Sequence, residues 1–220
     1  MSRWPTSSDP QATRPGCKPA AAGGGRLIVL SGPAGAGKTT VAARVCEELG
    51  LRRSVSATTR PPRAGEVDGR DYLFLAEEDF RRRVGRGEFL EHARVHGHLY
   101  GTPRGPVERA MRVGEDCLLV IDVEGAMQVR EQCPGALFIF LDAPDERALR
   151  DRLARRSSES PDEMEARLTT AQRERQHKER YDYCVTNDDL DRAAGELCRI
   201  ISADSRLKDR RHSVHGRGSD

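Results

Sequence analysis

Three stretches of the chain carry residues whose types and spacing could do chemistry. In "SGPAGAGKTT", Gly32, Gly37, Lys38 and Thr39 fit G-x-x-x-x-G-K-[ST] without a mismatch, between an apolar run and a helical pattern. Glycines let such a turn wrap so that its N–H groups point inward at phosphate oxygens, helped by the positive end of the following helix. The segment Gly32, Pro33, Ala34, Gly35, Ala36, Gly37, Lys38, Thr39 and Thr40 is therefore assigned to a nucleoside triphosphate. Lys38 would bridge the β- and γ-phosphates, and the Thr39 hydroxyl would face Mg2+. The motif says almost nothing about the acceptor.

The second stretch, "SATTRPPRAGEVDGRDY", sets Arg60 and Arg63 on a Pro-stiffened turn, with Tyr72 shortly after. Two guanidinium forks and a phenol suit a single phosphate group, although the same turn could be a solvated surface. The third, "EFLEHARVHGHLYGT", supplies Glu91, Tyr100 and Thr102. Beyond these, Asp122 closes the apolar run "LLVID". There a carboxylate can sit near a metal at the edge of a sheet, or it can cap the turn that follows.

The elements that must position these residues read as an α/β fold. Residues 27–30 form a strand, and Val41, Val45 and Leu49 then recur at helical spacing until Gly50. "RRSVSATT" has β-branched character and reads as a second strand; "RPPRAGEVDGRDYLFL" reads as a Pro-rich turn and a Gly-containing hairpin in an inserted β lobe. A helix in "AEEDFRRRV", a strand from near Glu88 and a helix in "PVERAMRVG" follow. "CLLVIDVEGAMQVREQ" and "ALFIFLDA" open with continuous apolar runs, the pattern of parallel strands covered on both faces. From Pro144 to about Arg180 the chain is highly charged, with helices interrupted at "RRSSESPDE", which suggests a mobile lid. A last strand and helix lie in "YDYCVTNDDLDRAAGELCRII".

Composition narrows the class. With 37 Lys and Arg against 35 Asp and Glu, no global field argues for a nucleic acid partner. The six cysteines show no zinc-type spacing and read as reduced thiols of a cytoplasmic protein. No apolar run approaches the ~20 residues of a membrane span. Residues 1–25 read as a disordered leader and 202–220 as a flexible tail, in which a metal role for His212 and His215 is a weak alternative.

In order and spacing, "SGPAGAGKTT", "SVSATTRPPRAGEVDGRDY", "GEFLEHARVHGHLYGT", "IDVEGAMQV" and "VTNDDLDRA" resemble the guanylate kinases over residues 26–201. The resemblance implies a P-loop NTPase core, a parallel sheet flanked by helices. It also implies an inserted small α+β GMP-binding lobe at about 58–104 and a helical lid at about 144–170. It further implies ATP and GMP as substrates, Mg2+ as cofactor, and a monomer or homodimer. Carried over residue by residue, Arg60, Arg63, Tyr72 and Tyr100 fall on the acceptor phosphate, and Ser56, Glu91 and Thr102 around the guanine. Asp122 falls at the GMP site and, indirectly, at the metal. The lid arginines correspond to Arg152, Arg156 and Arg167, with Arg63, Arg156 and Arg167 joining Lys38 in catalysis and Arg152 at ATP; Asn187 matches the donor-base position.

The chemistry of guanine makes this sensible. Its N1–H and exocyclic amine lie on one edge, so Glu91 can accept from both, whereas adenine offers an unprotonated N1 there. A buried carboxylate facing that acceptor should cost AMP several kcal/mol.

Departures from the family pattern are local. Val120 stands where an acidic residue is usual two positions before Asp122, and Arg156-Ser157-Ser158 replaces the usual Arg-Gly-Thr of the lid, with Arg155 competing for the role of Arg156. Ala34 replaces a common Ser, with little effect expected because the backbone donors are unchanged. Two other functions are weighed against the kinase: a non-catalytic guanylate-kinase-like module that binds phosphoproteins, and a kinase for a sugar phosphate such as ribose 1,5-bisphosphate. The intact Lys38 and Thr39 count against the first, and Tyr72, Glu91 and Tyr100 together against the second.

Overall fold

The structure is a computed structural model that describes residues 24–95, 97–154 and 161–204, with the side chains of 161–163 excepted. The expected leader up to residue 23, the tail from 205 and Arg155, Arg156, Ser157 and Ser158 lie outside the described residues.

The chain opens with β1 (Leu27–Ser31), buried at every position, and runs through a glycine-rich loop into α1 (Lys38–Leu49). It touches the core sheet again at β2 (Arg52–Arg53), then joins a second sheet at β3 (Ala57–Thr58) and β4 (Leu73–Phe74). Next come α2 (Glu77–Gly85), β5 (Phe89–Val95), β6 (His98–Pro103) and α3 (Arg104–Arg112). The core resumes with β7 (Cys117–Val120), α4 (Val123–Gln132) and β8 (Leu137–Asp142). The charged segment forms α5 (Glu146–Ala154) and α6 (Pro161–Arg175), and β9 (Tyr183–Thr186) and α7 (Leu190–Ala203) close the fold.

Five strands form a parallel sheet in the order β2-β7-β1-β8-β9. Successive side chains of a strand point to opposite faces, so continuous apolar runs feed two cores at once. Leu27, Val29, Leu119, Phe138 and Phe140 pack with Val107 and Met111 of α3 and Val123, Ala126 and Val129 of α4. Ile28, Leu30, Leu118, Ile139 and Leu141 pack on the other face with Val41 and Val45 of α1 and Ala194, Leu197 and Ile201 of α7. The loop after β1 therefore leaves the middle of a sheet clamped on both sides, at its carboxyl edge, where parallel sheets bind ligands.

The second sheet, ordered β4-β3-β6-β5, is inserted between β2 and α3 and has its own small core of Ala57, Phe80, Phe89 and Leu99. Two expectations are corrected here. "RRSVSATT" is not one strand: Ser54 N still donates to Leu118 O of the core sheet, whereas Ser56 O accepts from Leu73 N of the second. The break lies in the change of partner, which propensity does not encode. Nor is "RPPRAGEVDGRDYLFL" a hairpin, since β3 and β4 are parallel and the chain must loop back to the starting end of the sheet. That loop is held by its own carboxylates: Asp71 Oδ2 accepts from Val67 N at 2.9 Å, and Asp68 Oδ1 from Phe74 N at 2.9 Å.

Candidate active site

The glycine-rich loop ends at a helix start with no competing ligand of its own. No side chain caps α1 and no carboxylate stands in its first turn, so its free N–H groups and positive end are available to an anion. Gly37 has φ 91°, and a Cβ on it would lie 2.3 Å from Asn187 Nδ2, so conformation and space both demand glycine. Lys38 folds back over the loop, donating to Gly32 O at 2.6 Å and Pro33 O at 3.0 Å, and Thr39 and Thr40 are exposed on the first turn.

Asn187 and Arg152, which the resemblance places at ATP, here hold the loop from behind. Asn187 is only 6% exposed and donates from Nδ2 to Ala36 O at 2.7 Å. Arg152 donates to Asn187 O at 2.7 Å and to Ala36 O at 3.4 Å. A carbonyl held in this way does not turn toward a phosphate oxygen. Ala34, expected to be neutral, packs its methyl against the cluster of Leu149 and Leu153 from α5 and Leu168 and Ala171 from α6. From α6, the half-buried Glu174 accepts from the Ala34 N–H; desolvation pushes its carboxyl up to about 7 against the pull of Lys38. Arg167 lies half-buried two turns earlier on the same helix. The end of α6 is anchored to β8, where Asp142 accepts from Arg175 Nε at 2.8 Å and Lys178 Nζ at 3.2 Å.

On the second sheet, Arg60, Tyr72 and Tyr100 come together. The Arg60 guanidinium lies 5.4 Å from the Tyr72 ring centroid, and the Tyr72 and Tyr100 rings meet edge to face at 6.1 Å. Glu66, which sequence reasoning passed over, takes the guanidinium in a two-pronged bond, at 2.9 Å from Nη1 and 2.8 Å from Nη2. Burial disfavours the charge of Arg60, but Glu66 and Tyr100 outweigh it and raise its pKa further, while the bond from Arg60 holds Glu66 below the usual carboxylate range. Arg63 shares the turn but its side chain is exposed; its backbone N–H donates to Glu66 at 2.7 Å.

Glu91 and Thr102 are cross-strand partners on β5 and β6, and the Thr102 hydroxyl donates to Glu91 Oε1 at 2.6 Å. Glu91 is 4% exposed; burial first, and the nearby Asp122 second, push its carboxyl up to about 8. A Cβ on Gly125 would lie 2.5 Å from Glu91 Oε2, so the glycine of "VEGA" keeps room for this carboxyl. Asp122 caps α4, its Oδ1 accepting from Gly125 N at 2.7 Å, while Val120 packs on the core. Ser56 sits half-buried where the chain passes from one sheet to the other. The resemblance did not single out Glu66, Glu174 or Gly125. Of the three, Glu66 had a signal, a carboxylate three residues after Arg63 inside a Pro- and Gly-containing turn.

Among the described residues, no group of three or more His, Cys, Asp or Glu could hold a metal on its own. The available donors, the Thr39 hydroxyl and the Asp122 carboxylate, suit a hard cation shared with substrate phosphates.

The arrangement defines a class, the phosphate-loop kinases that present a triphosphate to an acceptor held on an inserted lobe. Within it, the chain belongs to the guanylate kinase family, whose model matches residues 24–204. It is 49% identical over 181 residues to a guanylate kinase of Symbiobacterium thermophilum, covering 82% of this chain and 86% of that one. It is 44% identical over 192 residues to one of Caldanaerobacter subterraneus, covering 87% and 93%. A crystal structure of guanylate kinase from Anaplasma phagocytophilum superposes with a TM-score of 0.72 at 35% identity, over 89% of this chain and 96% of that one. No helix among the described residues is long and apolar enough to cross a membrane.

Proposed function

We infer from this geometry how the chain carries out the reaction of its family, the transfer of the γ-phosphoryl group of ATP to GMP to give ADP and GDP. The loop from Gly32 to Thr40 binds the donor phosphates through backbone N–H groups, and Lys38 leaves its loop carbonyls to bridge the β- and γ-phosphates. Arg60, Tyr72 and Tyr100 hold the acceptor phosphate, with the exposed Arg63 closing on it from the same turn. Glu91 and Thr102 read the guanine edge, with Ser56 beside them. Arg167 and the neighbouring arginines of the charged segment neutralise charge as the phosphoryl group passes between oxygens; no strong general base is needed. Asn187 and Arg152 act on ATP by holding the loop. Thr39 and Asp122 would hold Mg2+ together with the phosphates, the metal supplying charge neutralisation. A cytoplasmic setting fits this substrate pair and the scattered thiols.

The observation that carries the reading is the buried Glu91 beside Thr102, on the same sheet as the Arg60, Tyr72 and Tyr100 cluster. A phosphate-binding lobe needs no buried carboxyl; a lobe that selects guanine does. The test is a coupled assay offering GMP, dGMP, AMP and ribose 1,5-bisphosphate with ATP and Mg2+. Turnover with GMP and rejection of AMP and of the sugar phosphate is expected. Activity on the sugar phosphate alone, or none on any acceptor, would contradict the reading.

A further inference from the structure

We propose that Glu66 is a positioning residue for the acceptor phosphate: it locks the Arg60 guanidinium so that a single edge, Nε–H with one Nη2–H, remains for the ligand. The proposal rests on the reading that Arg60 binds that phosphate. A guanidinium carries five N–H donors in a fixed plane. One Nη1–H is committed to Pro61 O at 2.6 Å, the other to Glu66 Oε2 at 2.9 Å, and one Nη2–H to Glu66 Oε1 at 2.8 Å. The two that remain lie side by side, the spacing that takes two oxygens of one phosphate. The phenol of Tyr100 is a hydrogen-bonding neighbour of Arg60 and shares this edge with the phosphate, and the Tyr72 ring lies against the guanidinium.

The same carboxylate also fixes the second arginine of the turn. Glu66 Oε2 accepts from Arg63 N at 2.7 Å, so one side chain sets both the direction of the Arg60 fork and the backbone from which Arg63 projects. The arrangement divides the labour between the two arginines. Arg60 and Glu66 together carry no net charge, so Arg60 contributes direction, whereas the exposed Arg63 contributes attraction for the dianion. Removing Glu66 would raise the local positive charge, which by itself favours an anion, but screening keeps that gain small at a partly exposed site. Loss of the fixed fork dominates, because an unheld arginine must be ordered again each time the ligand binds.

Calorimetric binding of GMP and of guanosine to the full chain tests this, using wild type, Glu66→Gln, Glu66→Asp, Arg60→Ala and the Glu66→Gln/Arg60→Ala double variant. Glu66→Gln should weaken GMP about tenfold, the loss expected for one charge-assisted contact. It should leave guanosine, which lacks the phosphate, within about twofold, since its base contacts are untouched. Glu66→Asp keeps the charge but is too short to span both Nη atoms, and should weaken GMP in the same direction. In the Arg60→Ala background, Glu66→Gln, whose amide oxygen can still accept from Arg63 N, should have little further effect. Tighter or unchanged GMP binding in Glu66→Gln, full affinity in Glu66→Asp, an equal loss for guanosine, or the same loss without Arg60 would each overturn the proposal. Wild-type GMP affinity in Arg60→Ala would overturn the phosphate-clamp reading beneath it, an outcome distinct from all of these.

Discussion

The donor and acceptor sides of the molecule are built on different principles. The donor loop is made of backbone, strung between a strand buried at all five positions and an uncapped helix; Asn187 and Arg152 hold its Ala36 carbonyl, and Glu174 accepts from its Ala34 N–H. The acceptor side is made of side chains, carried on a small sheet in which β3 and β4 are two residues each. Backbone amides bind phosphate whatever the nucleoside, so the donor side needs a rigid frame more than particular side chains. Base selection needs a buried polar group with a direction; on the proposed reading Glu91 is that group, and its burial pushes its carboxyl up to about 8. The two sides should therefore fail separately when mutated.

The largest separation is expected from Lys38→Ala, which removes the only side-chain charge of the phosphate loop. Turnover should fall by about 10^2- to 10^3-fold or more with GMP binding nearly intact, as steady-state kinetics and calorimetry would show. Parallel loss of both would mean that the sides are not independent. Asn187→Ala should act next, about tenfold. With the Ala36 carbonyl less firmly held, the KM for ATP should rise while that for GMP moves little. If Asn187 instead reads a base, replacing ATP with another triphosphate should abolish the difference between variant and wild type.

How much of each side the sequence revealed follows the same division. The donor loop was legible because its chemistry requires glycines and a lysine at fixed spacing along one continuous segment. Glu91 and Tyr100 come from different strands and Tyr72 from just before a third, so only likeness to a known family links them in sequence. Glu66 was missed because its meaning is a bond to Arg60, six residues away around a loop whose course propensity does not encode. The split of "RRSVSATT" between two sheets escaped for a related reason: pairing partners are a tertiary choice. The role of Asn187 behind the loop was equally hidden, since spacing along the chain does not tell which face of a loop a distant side chain meets.

Both sides carry a carboxyl raised by burial, Glu91 to about 8 on the acceptor side and Glu174 to about 7 beside the donor loop, so GMP binding should follow the first. Glu91 loses its proton near 4.5 when unfolded and near 8 when folded and ligand-free. Between those values the folded state binds the extra proton, so stability falls as pH rises from about 4.5 to about 8 and levels off above. GMP needs the ionised carboxyl as acceptor, so its KM should fall by about tenfold from pH 6.5 to 8. Glu91→Gln should flatten the GMP profile and make the stability profile shallower, leaving the part due to Glu174 below about 7; a wild-type GMP slope retained in that variant would place the titrating group elsewhere. The smallest effect is expected at Val120, whose side chain packs on the core: Val120→Asp should lower the Mg2+ requirement by about twofold at most. An unchanged metal titration would show that position to be idle.

The most direct test of the central claim, that the acceptor side selects its base through one buried carboxyl, is the ratio of kcat/KM for GMP to that for AMP in wild type and in Glu91→Gln. A wild-type preference of about 10^4 or more that collapses by at least about 10^2 in the variant, with the KM for ATP unchanged, is the predicted result. An unchanged ratio, or equal losses for GMP and ATP, would contradict the claim.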